Sequence, residues 1–444
     1  MINPVLEKIC LTRIFLKNWR SLGNISEKCH ICNITETKDL YFRQHLYSHS
    51  TKVQKMSEAT SKASAKADYK LTSKHYGRIW MRVILWIYAL LVAVSVVGSG
   101  FKMAVGGAEA AAELFSFANN TVLALIAGTL ATALVQSSST VTSVIVGLVA
   151  GGLPVEMAIP MIMGANIGTT ITNTLVSLGH MGCDKSFKRA FAASTVHDFF
   201  NYLAVLILLP LELMTGFLSG LSQHVATMLV GGSAVDMGSL NFVKPLTAPA
   251  VNIVKGFAGL LPDTTLGGLS MIAIGIFLIF SSVVRLGKLL KKVMVGRAKD
   301  VLHKSIGRGP ISGIASGTVM TVMVQSSSTT TSLMVPLVGS GVFTVRQMYP
   351  VTLGANIGTT ITALLSATAI VGAEATHAMT IALVHLFFNL FAVALIYGVK
   401  WLREIPLYAA EKLSELAVRN RAYAFLYLLL AFFLIPGLGI FIAQ

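Results

Sequence analysis

Val135-Gln136-Ser137-Ser138-Ser139-Thr140 is a polar knot inside an apolar stretch, and Val324-Gln325-Ser326-Ser327-Ser328-Thr329 repeats it letter for letter. Downstream of the first copy lies Gly164-Ala165-Asn166-Ile167-Gly168-Thr169-Thr170-Ile171-Thr172. Downstream of the second, Gly354-Ala355-Asn356-Ile357-Gly358-Thr359-Thr360-Ile361-Thr362 matches it at every position. A third element, His197-Asp198-Phe199-Phe200-Asn201, is echoed by His385-Leu386-Phe387-Phe388-Asn389. Order and spacing are kept, so the chain holds two copies of one fold unit about 190 residues apart.

Working outward, the polar knot is flanked in the first copy by apolar segments at 121–135 and 139–150. Each is shorter than the roughly 20 residues a helix needs to cross a bilayer at about 1.5 Å per residue. One continuous helix would put four adjacent polar side chains at midplane. A re-entrant pair of half-helices meeting at the knot avoids that, because irregular backbone is tolerated where protein surrounds it. Uninterrupted apolar spans run at 79–98, 191–210, 269–286, 378–399 and 423–442. Stretches interrupted by Gly, Pro, Asn and Ser run at 120–152, 154–180, 311–341 and 350–371. Each copy therefore reads as a span, a hairpin, a span broken at Gly164-Ala165-Asn166 or Gly354-Ala355-Asn356, and a span carrying the His element. Three crossings per copy force the second copy to be inverted. The expected fold is an all-α polytopic membrane protein of two inverted-topology repeats, each with a re-entrant hairpin and a broken helix. Residues 1–78 form a polar cytoplasmic segment, 79–230 the first repeat, 231–268 an extracytoplasmic linker and 269–400 the second repeat. Residues 401–444 form an amphipathic segment and a last transmembrane helix.

Composition agrees. The chain is 54% hydrophobic and 12% charged, with a mean hydropathy of +0.71, against about 25% charge in soluble domains. The net charge of +16 is spread over clusters before Trp80, at 285–308 and at 400–421, which flank spans. That is the positive-inside pattern rather than a nucleic-acid stripe. It places the N-terminus, Lys185, Lys188 and Arg189 in the cytoplasm, and the linker, with Lys244 and Lys255, outside. Cys29 and Cys32 form a CxxC with no second pair to complete a zinc site. Residues 1–78 read as disordered, and Met56 opens a Ser/Ala/Lys-rich run expected to be the translation start.

The chemistry-bearing residues lie at the interruptions. Half-helix N-termini at the two knots offer hydroxyls, amides and free N–H groups, which favour an anion; hydrogen bonding between helices is the alternative use of such serines. Unwinding at Asn166 and Asn356 would expose carbonyls beside the hydroxyls of Thr169 and Thr359, hard oxygens that suit sodium; close helix packing is the alternative there. Asp198 is the one acid read inside a regular span, and intramembrane ionisable groups point to function. His197 and His385 are expected to orient helices by hydrogen bonding. No Lys or Arg lies within a repeat core, so an anion there needs helix termini plus bound cations. No catalytic constellation and no nucleotide loop is found, so the reading is not an enzyme and needs no cofactor beyond sodium as coupling ion.

The paired knots, the Gly164-to-Thr170 segment with its duplicate, and Arg189-Ala190-Phe191 followed by Thr195-Val196-His197-Asp198-Phe199-Phe200-Asn201 resemble the type II sodium/phosphate cotransporter family. The resemblance covers about 79–400. It implies sodium-coupled uptake of inorganic phosphate across the cell membrane. By it, Gln136, Ser137, Ser138, Gln325, Ser326 and Ser327 would hold phosphate. Ser139, Thr140, Asn166, Thr169, Ser328, Thr329, Asn356 and Thr359 would hold sodium, with His197, Asp198, Asn201, His385 and Asn389 in support. The short linker without cysteine departs from vertebrate members and looks bacterial, which would place the chain in an inner membrane. Gly182-Cys183-Asp184-Lys185 carries its acid one place later than the Gly-Asp-Arg of electrogenic members. A symporter of another small anion and a channel with re-entrant loops remain as alternatives, and the sequence leaves the oligomeric state open.

Overall fold

The computed structural model describes residues 73–105, 120–231, 243–305, 309–372 and 374–443. The CxxC, the Met56 start and nearly all of the 1–78 segment lie outside the described residues. All regular structure within them is helical. The polar backbone of an apolar segment has no other way to satisfy its N–H and C=O groups in lipid apart from a closed barrel.

Five helices among the described residues are long and apolar enough to cross a membrane: Gly77–Ala104, Asp184–Thr215, Thr264–Leu290, Ala375–Tyr397 and Ala422–Gly439. They coincide with the five expected spans, and the chain is a multi-pass α-helical membrane protein.

In chain order, α1 (Ser73–Val105) is followed by a helix pair, α2 (Thr121–Val135) and α3 (Ser138–Gly151). Then come α4 (Val155–Gly168), α5 (Ile171–Leu178), α6 (Asp184–Thr215), α7 (Phe217–Gly231) and α8 (Val243–Ala258). The second copy runs α9 (Thr264–Ser305), α10 (Pro310–Val324), α11 (Ser327–Gly339), α12 (Val345–Ala367) and α13 (Ala375–Ala392), which continues as a π turn to Tyr397. The chain then forms α14 (Lys400–Arg419), α15 (Ala422–Leu429), a π turn Leu430–Leu434 and α16 (Ile435–Ala443).

The helix pairs stop where the polar knots begin. Asn120 starts α2 by accepting from the N–H groups of Val122 (3.0 Å) and Leu123 (3.3 Å). In the second copy Pro310 opens α10, where its missing N–H costs nothing. At 15 residues each, α2 and α10 are about 22 Å long, well short of a bilayer core.

Packing then interlocks the copies. The first member of each pair lies against its own copy: α2 on α4, α10 on α12. The second member crosses over, α3 onto α12 and α13, and α11 onto α5 and α6. Ser366 on α12 donates to Ser143 on α3 at 2.7 Å. Asn173 on α5 accepts from Thr331 (2.8 Å) and Ser332 (3.0 Å) on α11. One apolar core, including Val94, Ile145, Ile162, Phe200, Leu353 and Phe388, runs through both copies.

Three expectations are corrected. Gly164-Ala165-Asn166 does not break its helix; it sits inside α4, and the interruption comes later, at Thr169 and Thr170. Gly354-Ala355-Asn356 lies inside α12, which runs unbroken to Ala367. The glycines serve approach instead. A Cβ at Gly164 would collide with the Leu125 carbonyl oxygen, and one at Gly354 with the Ile314 carbonyl oxygen, the equivalent contact in the other copy. Small residues letting backbones close up is the membrane rule. The linker is also not all loop, since it contains α8, whose Pro245 and Pro249 obscure the helical pattern. Finally, α6 continues past 210 to Thr215 and takes in a second acid, Glu212, which is buried and accepts from the N–H groups of Leu218 (2.6 Å) and Ser219 (3.1 Å) at the start of α7.

Candidate functional site

Between α2 and α3 the chain turns on Gln136, with φ 54° and ψ 31°; between α10 and α11 it turns on Gln325, with φ 54° and ψ 35°. Among the described residues these are the two non-glycine positions in the left-handed region. That conformation costs an L-residue about 1–2 kcal/mol, and such strain persists where surroundings enforce it, often at functional sites. The Gln136 N–H closes α2 on the Thr132 carbonyl at 2.7 Å, and the Gln325 N–H closes α10 on Thr321 at 2.6 Å. Each next serine is extended and caps the following helix. Ser137 Oγ accepts from the Thr140 N–H at 3.3 Å, and Ser326 Oγ from the Thr329 N–H at 3.2 Å. Ser137 and Thr140 also share a hydroxyl contact of 2.8 Å.

The two tips differ in how far they satisfy themselves. In the second copy Gln325 Nε2 donates to the Val322 carbonyl at 2.9 Å, and its Oε1 accepts from Thr362 at 2.9 Å. Thr321 donates to Thr330 at 2.9 Å. In the first copy Gln136 is exposed and its side-chain amide makes no hydrogen bond among the described residues. The matching hydroxyls of Thr132 and Thr172, and the amide nitrogen of Asn173, are buried without a partner. Ser138, Ser139, Thr140 and Ser327 are buried, whereas Ser328 and Thr329 are half-buried. No hydrogen bond joins one tip to the other among the described residues.

The Asn and His residues form a chain that links the copies. Asn201 on α6 donates to the Asn166 backbone carbonyl at 2.8 Å. Its oxygen then accepts from Asn356 Nδ2 at 2.8 Å, and Asn356 Oδ1 faces His197 Nε2 at 2.6 Å. A carbonyl only accepts, so the orientation of Asn201 follows, then that of Asn356, and His197 must carry its proton on Nε2. The chain runs from repeat one to repeat two through groups that are all buried. His197 thus bonds across the two repeats. Both ring nitrogens of His385 are buried and have no partner among the described residues, and Asn389 donates to the His385 carbonyl of its own helix. Asn166 Nδ2 bonds the Ile162 carbonyl at 3.1 Å, and the Thr169 and Thr359 hydroxyls bond the carbonyls of Ala165 and Ala355.

Asp198 is 1% exposed and its Oδ2 accepts from Tyr427 at 2.7 Å. Tyr427 belongs to α15, beyond the repeats, and its ring packs edge-on against Phe191 and Phe432. Nothing in the duplicated sequence marks it. Thr362, by contrast, closes the nine-residue repeat and was legible as polar; its bond to Gln325 was not. Among the described residues no three His, Cys, Asp or Glu side chains stand together as a metal cluster. The oxygens available near the tips are hydroxyls, amides and carbonyls.

Two copies, each with a strained polar turn between half-helices, are matched segment by segment by one family profile. A family described as Na+/Pi-cotransporter matches residues 89–240 and 269–406. The chain belongs to the Na+/Pi-cotransporter family. Each matched segment contains one polar knot, one Gly-Ala-Asn segment and one His element. Among relatives of this chain, the sodium-dependent phosphate transport protein 2A of Rattus norvegicus is 35% identical over 425 residues, covering 80% of this chain and 66% of the relative. The sodium-dependent phosphate transport protein 2B of Homo sapiens is 34% identical over 439 residues, covering 79% of this chain and 63% of the relative. The chain thus spans just under two thirds of the length of these relatives. No solved structure matches it.

Proposed function

We propose that the chain is a sodium-coupled symporter of inorganic phosphate in the cell membrane, with its N-terminus cytoplasmic and its two repeats inverted. The α2–α3 and α10–α11 pairs are re-entrant hairpins in this reading. Gln136, Ser137, Ser138, Gln325, Ser326 and Ser327 hold phosphate at their tips. Sodium is held by oxygens of Ser139, Thr140, Asn166, Thr169, Ser328, Thr329, Asn356 and Thr359, and the His197–Asn356–Asn201 chain, with Asp198, His385 and Asn389, keeps the helices in place. The observation that carries the reading is the pair of left-handed glutamines, placed identically in the two copies and each followed by a new helix N-terminus. Aligned N–H groups there favour an anion, and the partnerless hydroxyl of Thr132, whose carbonyl holds the Gln136 N–H, leaves the first tip with bonding capacity to offer a ligand.

Neither 120–178 nor 309–345 contains a Lys or Arg. Phosphate at midplane therefore lacks a fixed counter-charge, and an uncompensated charge there is costly. Bound sodium lowers that cost, and linkage makes the effect reciprocal. Radiolabelled phosphate uptake into proteoliposomes tests this. Apparent phosphate affinity should rise with sodium, and sodium affinity with phosphate. Ser137→Ala and Ser326→Ala should each weaken uptake, and the double variant should lose less than the sum of the two. Undiminished uptake in sodium-free choline buffer under a pH gradient would overturn the proposal in favour of a proton-coupled carrier.

A further inference from the structure

A cavity of about 250 Å³ opens where α1, α8 and the ends of α3 and α12 meet the start of α13. Its polar lining includes Ser95, Ser99 and Lys102 from α1, Asn252 and Lys255 from α8, and Glu374. Lys102 and Glu374 stand 3.2 Å apart. Partial burial works against ionisation of Glu374, but its contacts with Lys102 and His377 outweigh that and hold its carboxyl below the usual range. Two lysines against one carboxylate leave the cavity one positive charge in excess. The side chains of Lys102 and Glu374 are 48% and 29% exposed, and ion pairs in contact with water hold weakly, so Lys102 can turn to an arriving anion.

The cavity touches the ends of two of the helices that carry the proposed site. Helix α3 starts at Ser138, and α12 carries Thr359 and Thr362. Hydroxyls join the two levels. Ser95 donates to the Ala369 carbonyl at 3.2 Å, and Ser366 donates to Ser143 at 2.7 Å. Ser143 is five residues from Ser138, about 7.5 Å along the helix.

We propose that this cavity is a capture site for a phosphate oxyanion, held there by Lys102 and Lys255 before it moves to the α2–α3 tip. The proposal rests on the transport reading above and names where the anion first binds. A cleft biased to one sign of charge concentrates the opposite ion and speeds its capture, an effect that salt screens over about 8–10 Å. Loss of the charge should therefore act on phosphate KM more than on the maximal rate.

The test is phosphate uptake by the full chain in proteoliposomes of phosphatidylcholine, at low and high ionic strength. Lys255→Gln should raise phosphate KM roughly three- to tenfold at low salt and less at high salt, with the maximal rate falling less than twofold. Lys255→Glu should raise KM further, and Lys255→Arg should restore it. Lys400→Gln, on a different helix, should leave KM unchanged. KM within twofold of wild type for both Lys255→Gln and Lys255→Glu overturns the capture site while leaving the transport reading intact. Wild-type vesicles without sodium-dependent uptake overturn the transport reading and this proposal with it. A KM shift that appears only when acidic lipid is added assigns the lysines to headgroups and also overturns it.

Discussion

At the scale of single residues, Gln136 and Gln325 are the positions where local physics and the native backbone disagree. An L-residue with φ near 54° crowds its own Cβ, and glycine would sit there at less cost. Among the described residues Gln136 makes no side-chain hydrogen bond that would offset the strain, so a substitution there separates stability from function. Gln136→Gly should raise thermal stability in detergent by up to about 1 kcal/mol, whereas Gln136→Ala should not, since alanine keeps the strain. Both should lower phosphate uptake at least tenfold if the amide contacts the anion. Uptake near wild type in Gln136→Gly would make the left-handed turn a matter of chain geometry alone. Asn201 shows another residue-scale feature. One amide bonds a backbone carbonyl of the first copy and a side chain of the second, so the two halves are joined at the centre by a residue that the repeat pattern ranks only as equivalent to Asn389.

At the scale of elements, what matters is how closely α2 approaches α4 and α10 approaches α12. Three glycines line this contact in each copy, one on α2 or α10 and two on the helix facing it. Gly128, Gly164 and Gly168 answer to Gly317, Gly354 and Gly358, and a Cβ at any of them would run into backbone of the facing helix. Gly164→Ala or Gly354→Ala must push two helices apart along their length. We expect a loss of about 3 kcal/mol or more, at the upper end of overpacking costs, read as a fall in melting temperature or in folded yield. Gly220→Ala, where a Cβ would meet nothing within 4 Å, should be neutral. Equal behaviour of the three variants would mean that the pairs have slack. Helix α15 adds a contact of another kind. Its Tyr427 donates to Oδ2 of the buried Asp198, so a segment outside the repeats supplies a partner to the carboxylate whose counterpart in the other copy is Leu386.

At the scale of the whole molecule, the interlocking of α3 with α12 and α13, and of α11 with α5 and α6, makes the two repeats a single packing unit rather than two neighbouring bundles. Inversion of one repeat relative to the other predicts opposite exposure of their connecting segments. In a chain freed of its native cysteines, a cysteine at Arg297 should react with an impermeant reagent only from the side that carries the N-terminus. One at Asp236 should react only from the other. Reaction of both from one side would break the inverted arrangement.

The duplication, the five spans and the limits of the first helix pair are legible in the amino-acid order alone: 121–135 and 139–150 are expected, and Thr121–Val135 and Ser138–Gly151 are found. Lipid makes these features local. A segment must be long and apolar to cross and must satisfy its own backbone, so length and polarity suffice to find it. The role of Gly164-Ala165-Asn166 was not local. Glycine and asparagine read equally as a helix break or as a close contact, and only the helix lying opposite, with the Leu125 carbonyl at hand, decides for contact. The same holds for the site. Serines and glutamines announced polar tips, but two features required the backbone and the neighbours in place: the left-handed turn, and the asymmetry by which Thr362 bonds Gln325 while Thr172 bonds nothing. The Asn166–Asn201–Asn356–His197 chain and the Tyr427–Asp198 contact were decided by tertiary structure alone. A hydrogen bond acts over about 3 Å, and which groups come that close is settled by packing between helices; three of these four contacts join residues more than 150 apart in sequence.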